Sequence, residues 1–249
     1  MIVYEREDAF VMTAQHDHAH ISGDLMAAWD KKELGPRCSD VVYAAYEHDR
    51  GWLDLDTYPL WHDAVRRPFT FRDFPAPIRL QFYTRGINEL ERNNPYAALL
   101  SSMLYTTLAE NVPSADNMHF VEEEKRRQLQ LKQELQAEEN LLAFHLKALI
   151  LCDELSLFLC MEPPGTPASR YEWFSAGFRY PQSLGEDGKL HAQWNGLNSI
   201  ELSASPFTCK VETVLAYREV RKHKIRELGI AEAFSQSEPN ECRITIHTR

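Results

Sequence analysis

Three closely spaced histidines near the start of the chain, His16, His18 and His20, the adjacent pair His48-Asp49, and Asp153 within an apolar stretch are residue types that hold divalent metal ions. A hydrolytic metal centre is the chemistry such a set would carry. An ion with fixed nitrogen and oxygen ligands and open positions left over polarises a bound ester and activates water. The His48-Asp49 pair supplies one ligand of each kind from a single stretch of backbone. Asp153 lies among Leu149, Ile150, Leu151, Cys152, Leu155, Leu157 and Phe158, where a carboxylate is costly to bury unless it is paired or bound to metal. Two readings need no metal: Arg50 could pair with Asp153, and His48-Asp49 could be a polar pair ending a helix, with the imidazole at the negative end of the dipole.

Hydrophobic periodicity predicts the elements that position these groups. Residues 2–13 alternate on either side of a polar stretch as a β-hairpin whose second strand delivers the chain to the histidines. Ile21, Leu25, Met26, Ala28 and Trp29 recur at helical spacing over residues 19–29, before Gly35-Pro36. A second helix runs from a Ser39 cap to His48, stopped by Arg50-Gly51-Trp52. Residues 53–77 have no sustained period and read as a long ordered loop, of a length that is often functional. Helices follow over 78–93, over 95–109 with Pro95 first, and over 116–136 with Asp116 as cap. In the last of these Glu122 and Glu123 precede Arg126 and Arg127 by four residues, as on a solvated face. Residues 141–161 read as the central buried helix, ended by Pro163-Pro164-Gly165. Strand-like alternation then appears over 190–194 and 199–202, around the turn signal Asn195-Gly196, and over 211–220 and 243–248. This tail is expected to join the N-terminal hairpin. The expected fold is mainly α, a helical bundle with a small accessory β-sheet or hairpin from the two chain ends. Residues 1–164 would form the metal-binding core and 165–249 a β-rich extension.

With 249 residues, 44% of them hydrophobic, the chain can bury a sizeable core. Its apolar runs are shorter than a membrane helix needs, and Glu5, Glu7 and Asp8 stand where a secretory signal would be basic. A cytoplasmic protein without a membrane partner is expected. Cys38, Cys152, Cys160, Cys209 and Cys242 are widely spaced, lack a Cys-x-x-Cys arrangement, and should be free thiols. A net charge of −10 argues against nucleic acid as partner. A small phosphorylated substrate stays compatible, because a few cations in a cleft bind one phosphate whatever the global charge.

The order of these groups resembles the HD superfamily of metal-dependent phosphohydrolases: a His early in one helix, a His-Asp pair ending the next, and an Asp in a late helix. A closer resemblance is to a bacterial family catalogued as a domain of unknown function. It is carried by Gln15-His16-Asp17-His18-Ala19, Glu47-His48-Asp49-Arg50-Gly51-Trp52, Asn94-Pro95-Tyr96-Ala97-Ala98-Leu99-Leu100 and Cys152-Asp153-Glu154-Leu155-Ser156-Leu157, which together span most of the chain.

The HD resemblance implies an HD-like helical bundle with His18, His48, Asp49 and Asp153 as ligands. His18 is the first ligand because small or apolar residues follow it at the pattern's spacing (Ser22, Gly23, Met26, Ala27), which leaves His16 and His20 as polar neighbours. Such a mixed set suits Mn, Fe, Ni, Co or Zn. The implied function is a phosphohydrolase or phosphodiesterase acting on a small phosphorylated molecule. Arg50 or Lys147 would hold phosphate, and Glu47 and Asp54, with Asp56, are the acid or base candidates. Where HD proteins bind a second metal, a His would stand near Leu104. Leucine there argues against a dinuclear centre, and so against one alternative, a diiron oxygenase resembling myo-inositol oxygenase. His119 and His145 could substitute but read more simply as surface or packed residues, and His62-Asp63 as a coincidental repeat of the dipeptide. The other alternative is a non-enzymatic binding or regulatory protein on an HD-like scaffold.

Overall fold

In the computed structural model, which describes residues 1–178 and 189–248, the chain opens with the hairpin β1 (Ile2–Glu5) and β2 (Ala9–Thr13), paired antiparallel from Ile2↔Thr13 to Glu5↔Phe10. Helix α1 (Gln15–Ala27) follows directly. It has no side-chain cap of its own. Instead the carboxylate of Asp56 accepts the Gln15 backbone N–H at 2.5 Å. The short α2 (Lys31–Leu34) leads into α3 (Cys38–Glu47), which ends at His48 and a tight turn over Arg50–Trp52. The expected loop over residues 53–77 contains a short helix, α4 (Leu53–Thr57), and a two-stranded sheet, β3 (Trp61–His62) with β4 (Arg67–Pro68).

Four longer helices come next. They are α5 (Ala76–Asn93), α6 (Pro95–Glu110), α7 (Ala115–Glu134) and α8 (Glu139–Cys160). Asn94 caps α6 by accepting the Ala97 N–H, with Pro95 as its first residue, and Ser114 rather than Asp116 caps α7. Of the two most apolar helices, α6 is the more enclosed: 11 of its 16 residues are buried, against 12 of 22 in α8. The first turns of α8 run along the surface, so its buried residues are concentrated from Ala148 onward.

The sheet is where sequence expectation and structure part. Strands β5 (Ala192–Trp194), β6 (Ser199–Leu202), β7 (Val211–Arg221) and β8 (Pro239–Thr248) join the hairpin in one six-stranded mixed sheet of order β1-β2-β7-β8-β6-β5. The pair β6–β8 is parallel and the other pairs are antiparallel. A mainly α bundle with a small accessory hairpin is therefore the wrong class, because a six-stranded sheet and a second small sheet stand beside the helices. The cause lies in β7 and β8, which at 11 and 10 residues are twice an ordinary strand. The length of β7 lets its first part pair with β8 and its end pair with β2, so the chain ends form a continuous sheet. Helices α9 (Lys222–Leu228) and α10 (Ile230–Ser235) connect β7 to β8.

Residues on both sides of position 164 share one core. Leu155, Phe158 and Leu159 of α8 cluster with Tyr171, Phe178, Leu202, Leu215 and Ile246. On β7 the alternation of Val211, Thr213 and Leu215 faces inward, and Thr213 donates to Asp24 of α1 at 2.6 Å while Tyr46 of α3 donates to the other oxygen of Asp24 at 2.7 Å. One carboxylate thus ties sheet, α1 and α3 together. Among the described residues, no helix is long and apolar enough to cross a membrane.

The turn after α3 is held by direct backbone contact. A Cβ on Gly86 of α5 would lie 2.6 Å from the Gly51 nitrogen, and one on Gly51 would lie 2.4 Å from the Phe82 carbonyl oxygen. Neither neighbour can move without shifting the backbone. Gly86→Ala is expected to destabilise the fold by about 1–3 kcal/mol, the usual range for overpacking. Urea unfolding would measure it, and an unchanged midpoint would show that α5 does not fix this turn.

Candidate metal centre

Three elements meet where α1, the end of α3 and the middle of α8 cross. His18 projects from α1, His48 and Asp49 from the end of α3, and Asp153 from α8. One donor atom from each of His18, His48 and Asp49 lies within 4.8 Å of the other two. His18 Nε2 is 2.7 Å from Asp49 Oδ2 and 3.7 Å from Asp153 Oδ1. His48 Nε2 is 3.8 Å from Asp49 Oδ2 and 3.4 Å from Asp153 Oδ1. Bonds of roughly 2.1 Å to one tetrahedral ion would put donor atoms about 3.4 Å apart, so these separations suit a common centre. Three of the four expected ligands, His18, His48 and Asp49, form one possible metal-holding group, while Asp153 falls outside that group and faces the two imidazoles rather than Arg50.

The tautomers of both imidazoles follow from their neighbours. Ser156 donates to the Asp153 carbonyl at 2.7 Å, so its oxygen is left to accept from His18 Nδ1, also at 2.7 Å. His48 Nδ1 donates to the Ala45 carbonyl at 2.9 Å. Each ring therefore turns Nε2 towards the carboxylates. His48 Nε2 is buried, and its approach to Asp153 Oδ1 at 3.4 Å is too long for a well-formed hydrogen bond. Asp49 is fixed in turn by Tyr105 of α6, whose hydroxyl reaches Asp49 Oδ1 at 2.7 Å and the His48 carbonyl at 2.8 Å. The Tyr105 ring stacks on Tyr83 of α5 with centroids 3.8 Å apart. Ligating groups held by outer partners of this kind are characteristic of metal sites.

Charge reinforces the geometry. Burial works against a proton on His48, but the Asp49 carboxylate and the reach of Asp153 outweigh it and push the imidazole up to about 9. Burial also works to raise Asp49, and is overridden by His48, His18 and the Tyr105 hydroxyl, which hold its carboxyl down at about 2. Without an ion, protons on imidazole balance the carboxylates. A divalent cation would take over that role, with two neutral imidazoles and two carboxylates making a neutral buried set.

Ser156 and Tyr105 were not singled out from the sequence. Ser156 could have been, since it stands three residues after Asp153 on the same helical face. Tyr105 follows Leu104, the position where a further histidine was sought; Leu104 is packed in the core, and nothing in the local pattern announces the tyrosine. His145 is also spoken for, with one nitrogen 2.7 Å from the Tyr96 hydroxyl and the other 2.9 Å from the Leu34 carbonyl. His62 stacks on Phe69, and His119 is exposed.

The expected catalytic side chains lie apart from the four ligands. Arg50 pairs with Glu47 and Glu89, each at 2.9 Å, and Asp54 pairs with Arg85 at 2.5 Å on the surface. Glu89 also meets Arg85, so Glu47, Arg50, Glu89, Arg85 and Asp54 form one ion-pair chain. Asp56 is buried beneath α1 and accepts from Gln15, and Lys147 is exposed. Of the ligands, Asp153 is the most open, its side chain 13% exposed against 1% for each histidine and 5% for Asp49. A groove of about 750 Å³ between α5 and α7, lined by Leu80, Gln81, Glu91, His119, Phe120 and Arg127 among others, includes none of the four.

The chain belongs to DUF3891, a family of proteins of unknown function, which it matches over residues 1–222. No curated protein and no solved structure matches it.

Two outcomes follow from this arrangement. Because the proton on His48 must leave before its nitrogen can ligate, divalent-ion affinity should rise with pH by about tenfold per unit between about pH 6 and 8, with proton release measurable by calorimetry in buffers of different ionisation enthalpy. A pH-independent affinity would contradict the assignment of His48. Ser156→Ala and Tyr105→Phe should each weaken metal binding by about 10–100-fold while leaving the circular dichroism spectrum unchanged, since they orient ligands without being ligands.

Proposed function

We propose that this chain is a divalent-metal-dependent hydrolase of phosphoric esters acting on a small phosphorylated molecule, with His18, His48, Asp49 and Asp153 as ligands. The observation that carries the reading is the convergence of two imidazole Nε2 atoms and two carboxylates, with both Nδ1 atoms held by other groups so that each Nε2 faces the carboxylates. The finer resemblance to the HD superfamily rests on the order of those groups along the chain. A Mn, Fe, Ni, Co or Zn ion suits the mixed set, and when bound it supplies Lewis acidity and lowers the pKa of a coordinated water. This chain's own groups do the rest. Ser156 holds the ring of His18, Tyr105 turns Asp49 Oδ2 inward, and the partly open edge of Asp153 is the side from which solvent and a small substrate reach the centre. A cytoplasmic location accords with five cysteines that are all free.

The near closure of the site favours a second reading, a binding or regulatory protein in which the ion is structural. One variant separates the two. Asp153→Asn is nearly isosteric, but its amide is a far poorer ligand for a borderline cation. Hydrolysis predicts that the variant loses its metal and any activity found in a phosphoester screen while its thermal melt stays close to that of the parent. Loss of metal together with the fold would favour the structural ion. Wild-type metal content would remove Asp153 from the ligand set.

A further inference from the structure

Helix α1 carries two more imidazoles that the four-residue centre does not use. His16 and His20 each lie two residues from His18, about 200° around the helix, and so face away from it. They are one turn apart. Their Nε2 atoms are 3.3 Å from each other, and the rings stand nearly perpendicular at 85°. His20 is exposed and meets the Tyr46 ring edge-on at 5.7 Å. His16 is half-buried with its Nδ1 enclosed, so Nε2 is the nitrogen it offers to His20.

We propose that His16 and His20 form a second, solvent-facing site for a borderline divalent cation such as copper(II), nickel(II) or zinc(II), held by their two Nε2 atoms with water in the remaining positions. Two nitrogens bound at roughly 2.0–2.1 Å, at angles between square and tetrahedral, lie about 2.8–3.4 Å apart. The pair already has that spacing. Two histidines at i and i+4 on one helical face are a recurrent metal-binding element, because the rigid backbone presents both rings to one point. Burial is the largest influence on the His16 imidazole and lowers its pKa, which leaves the ring neutral and able to ligate; of the nearby charges Glu47 acts most strongly in the opposite direction, with Asp49 adding to it and His20 and Arg50 opposing. The pair differs from the buried centre in having no enclosing geometry, so its preference should follow intrinsic affinity and place copper(II) first. A hydrogen bond shared between two neutral rings is the competing account of the same spacing.

The site is independent of the proposed hydrolysis, and counting ions tests it. Metal-stripped, tag-free full-length protein would be titrated with copper(II) by calorimetry and followed by electron paramagnetic resonance. The parent chain should take up two ions. His20→Ala, a change at an exposed position, should lose one equivalent or weaken that site by about tenfold or more, and should remove the part of the nitrogen hyperfine structure that belongs to the second ion. The same comparison between Asp153→Asn and Asp153→Asn/His20→Ala repeats it with the buried centre impaired. Uptake and spectra unaltered by His20→Ala in both backgrounds would overturn the proposal, whereas a single ion that is lost in His20→Ala would support it and leave the buried centre empty.

Discussion

Two carboxylates, Asp49 and Asp153, are brought against two imidazoles where three helices cross, and all but the edge of Asp153 is withdrawn from water. Removing an ionised carboxylate from solvent costs several kcal/mol unless positive charge and hydrogen bonds compensate. The compensation here is incomplete without either protons or an ion. Against the effect of burial, His48 is pushed up to about 9 by Asp49 and Asp153, and Asp49 is held down at about 2 by His48, His18 and the Tyr105 hydroxyl, and His48 Nε2 has only the long 3.4 Å approach of Asp153. The pairing of these opposite charges is matched by the orientation of the groups around them. Ser156, Tyr105 and the Ala45 carbonyl each take up a hydrogen-bonding position that would otherwise turn a ligand away from the centre.

The rest of the fold can be understood as what keeps α1, α3 and α8 crossing at that point. Asp56 anchors the start of α1 through the Gln15 amide. Asp24, further along α1, is bonded by Tyr46 of α3 and Thr213 of β7, which makes the long strand β7 a brace for α1. The Gly51–Gly86 contact sets α5 against the turn that follows Asp49. Through Tyr105 and its stacking on Tyr83, α6 and α5 reach the centre from behind. The sheet therefore contributes by position, holding the back of α1 without supplying a ligand.

Much of this was legible in the sequence, and the misses have physical reasons. The helices carrying the ligands follow from apolar periodicity and from punctuation such as Asn94-Pro95 and Pro163-Pro164-Gly165, because local signals decide where a helix starts and stops. Convergence of four groups was expected from their order along the chain, and the structure groups His18, His48 and Asp49, with Asp153 facing the imidazoles from α8. The tail was expected to join the N-terminal hairpin, as β7 does with β2; the extent of the sheet was underestimated because β8 starts at Pro239 and pairs along β7 from Val211 to Arg218, a tertiary contact that the alternation of each strand alone does not report. The ion-pair chain through Arg50 escaped for the same reason, since Glu89 and Arg85 lie on a helix whose packing against the Arg50 turn is a tertiary fact. Proximity in sequence made Glu47 and Asp54 look like neighbours of the ligands, and in the fold each is engaged in an ion pair, with Arg50 and Arg85 respectively.

The central claim, that one ion sits among two imidazoles and two carboxylates, is tested most directly by X-ray absorption spectroscopy on protein loaded with a single equivalent of zinc. The account predicts a first shell of nitrogen and oxygen donors at about 2.0–2.2 Å with imidazole scattering from two histidines and no sulfur. Imidazole scattering lost in His48→Ala but kept in His20→Ala would place that ion in the buried centre. A first shell containing sulfur, or one unchanged by removal of His48, would contradict it.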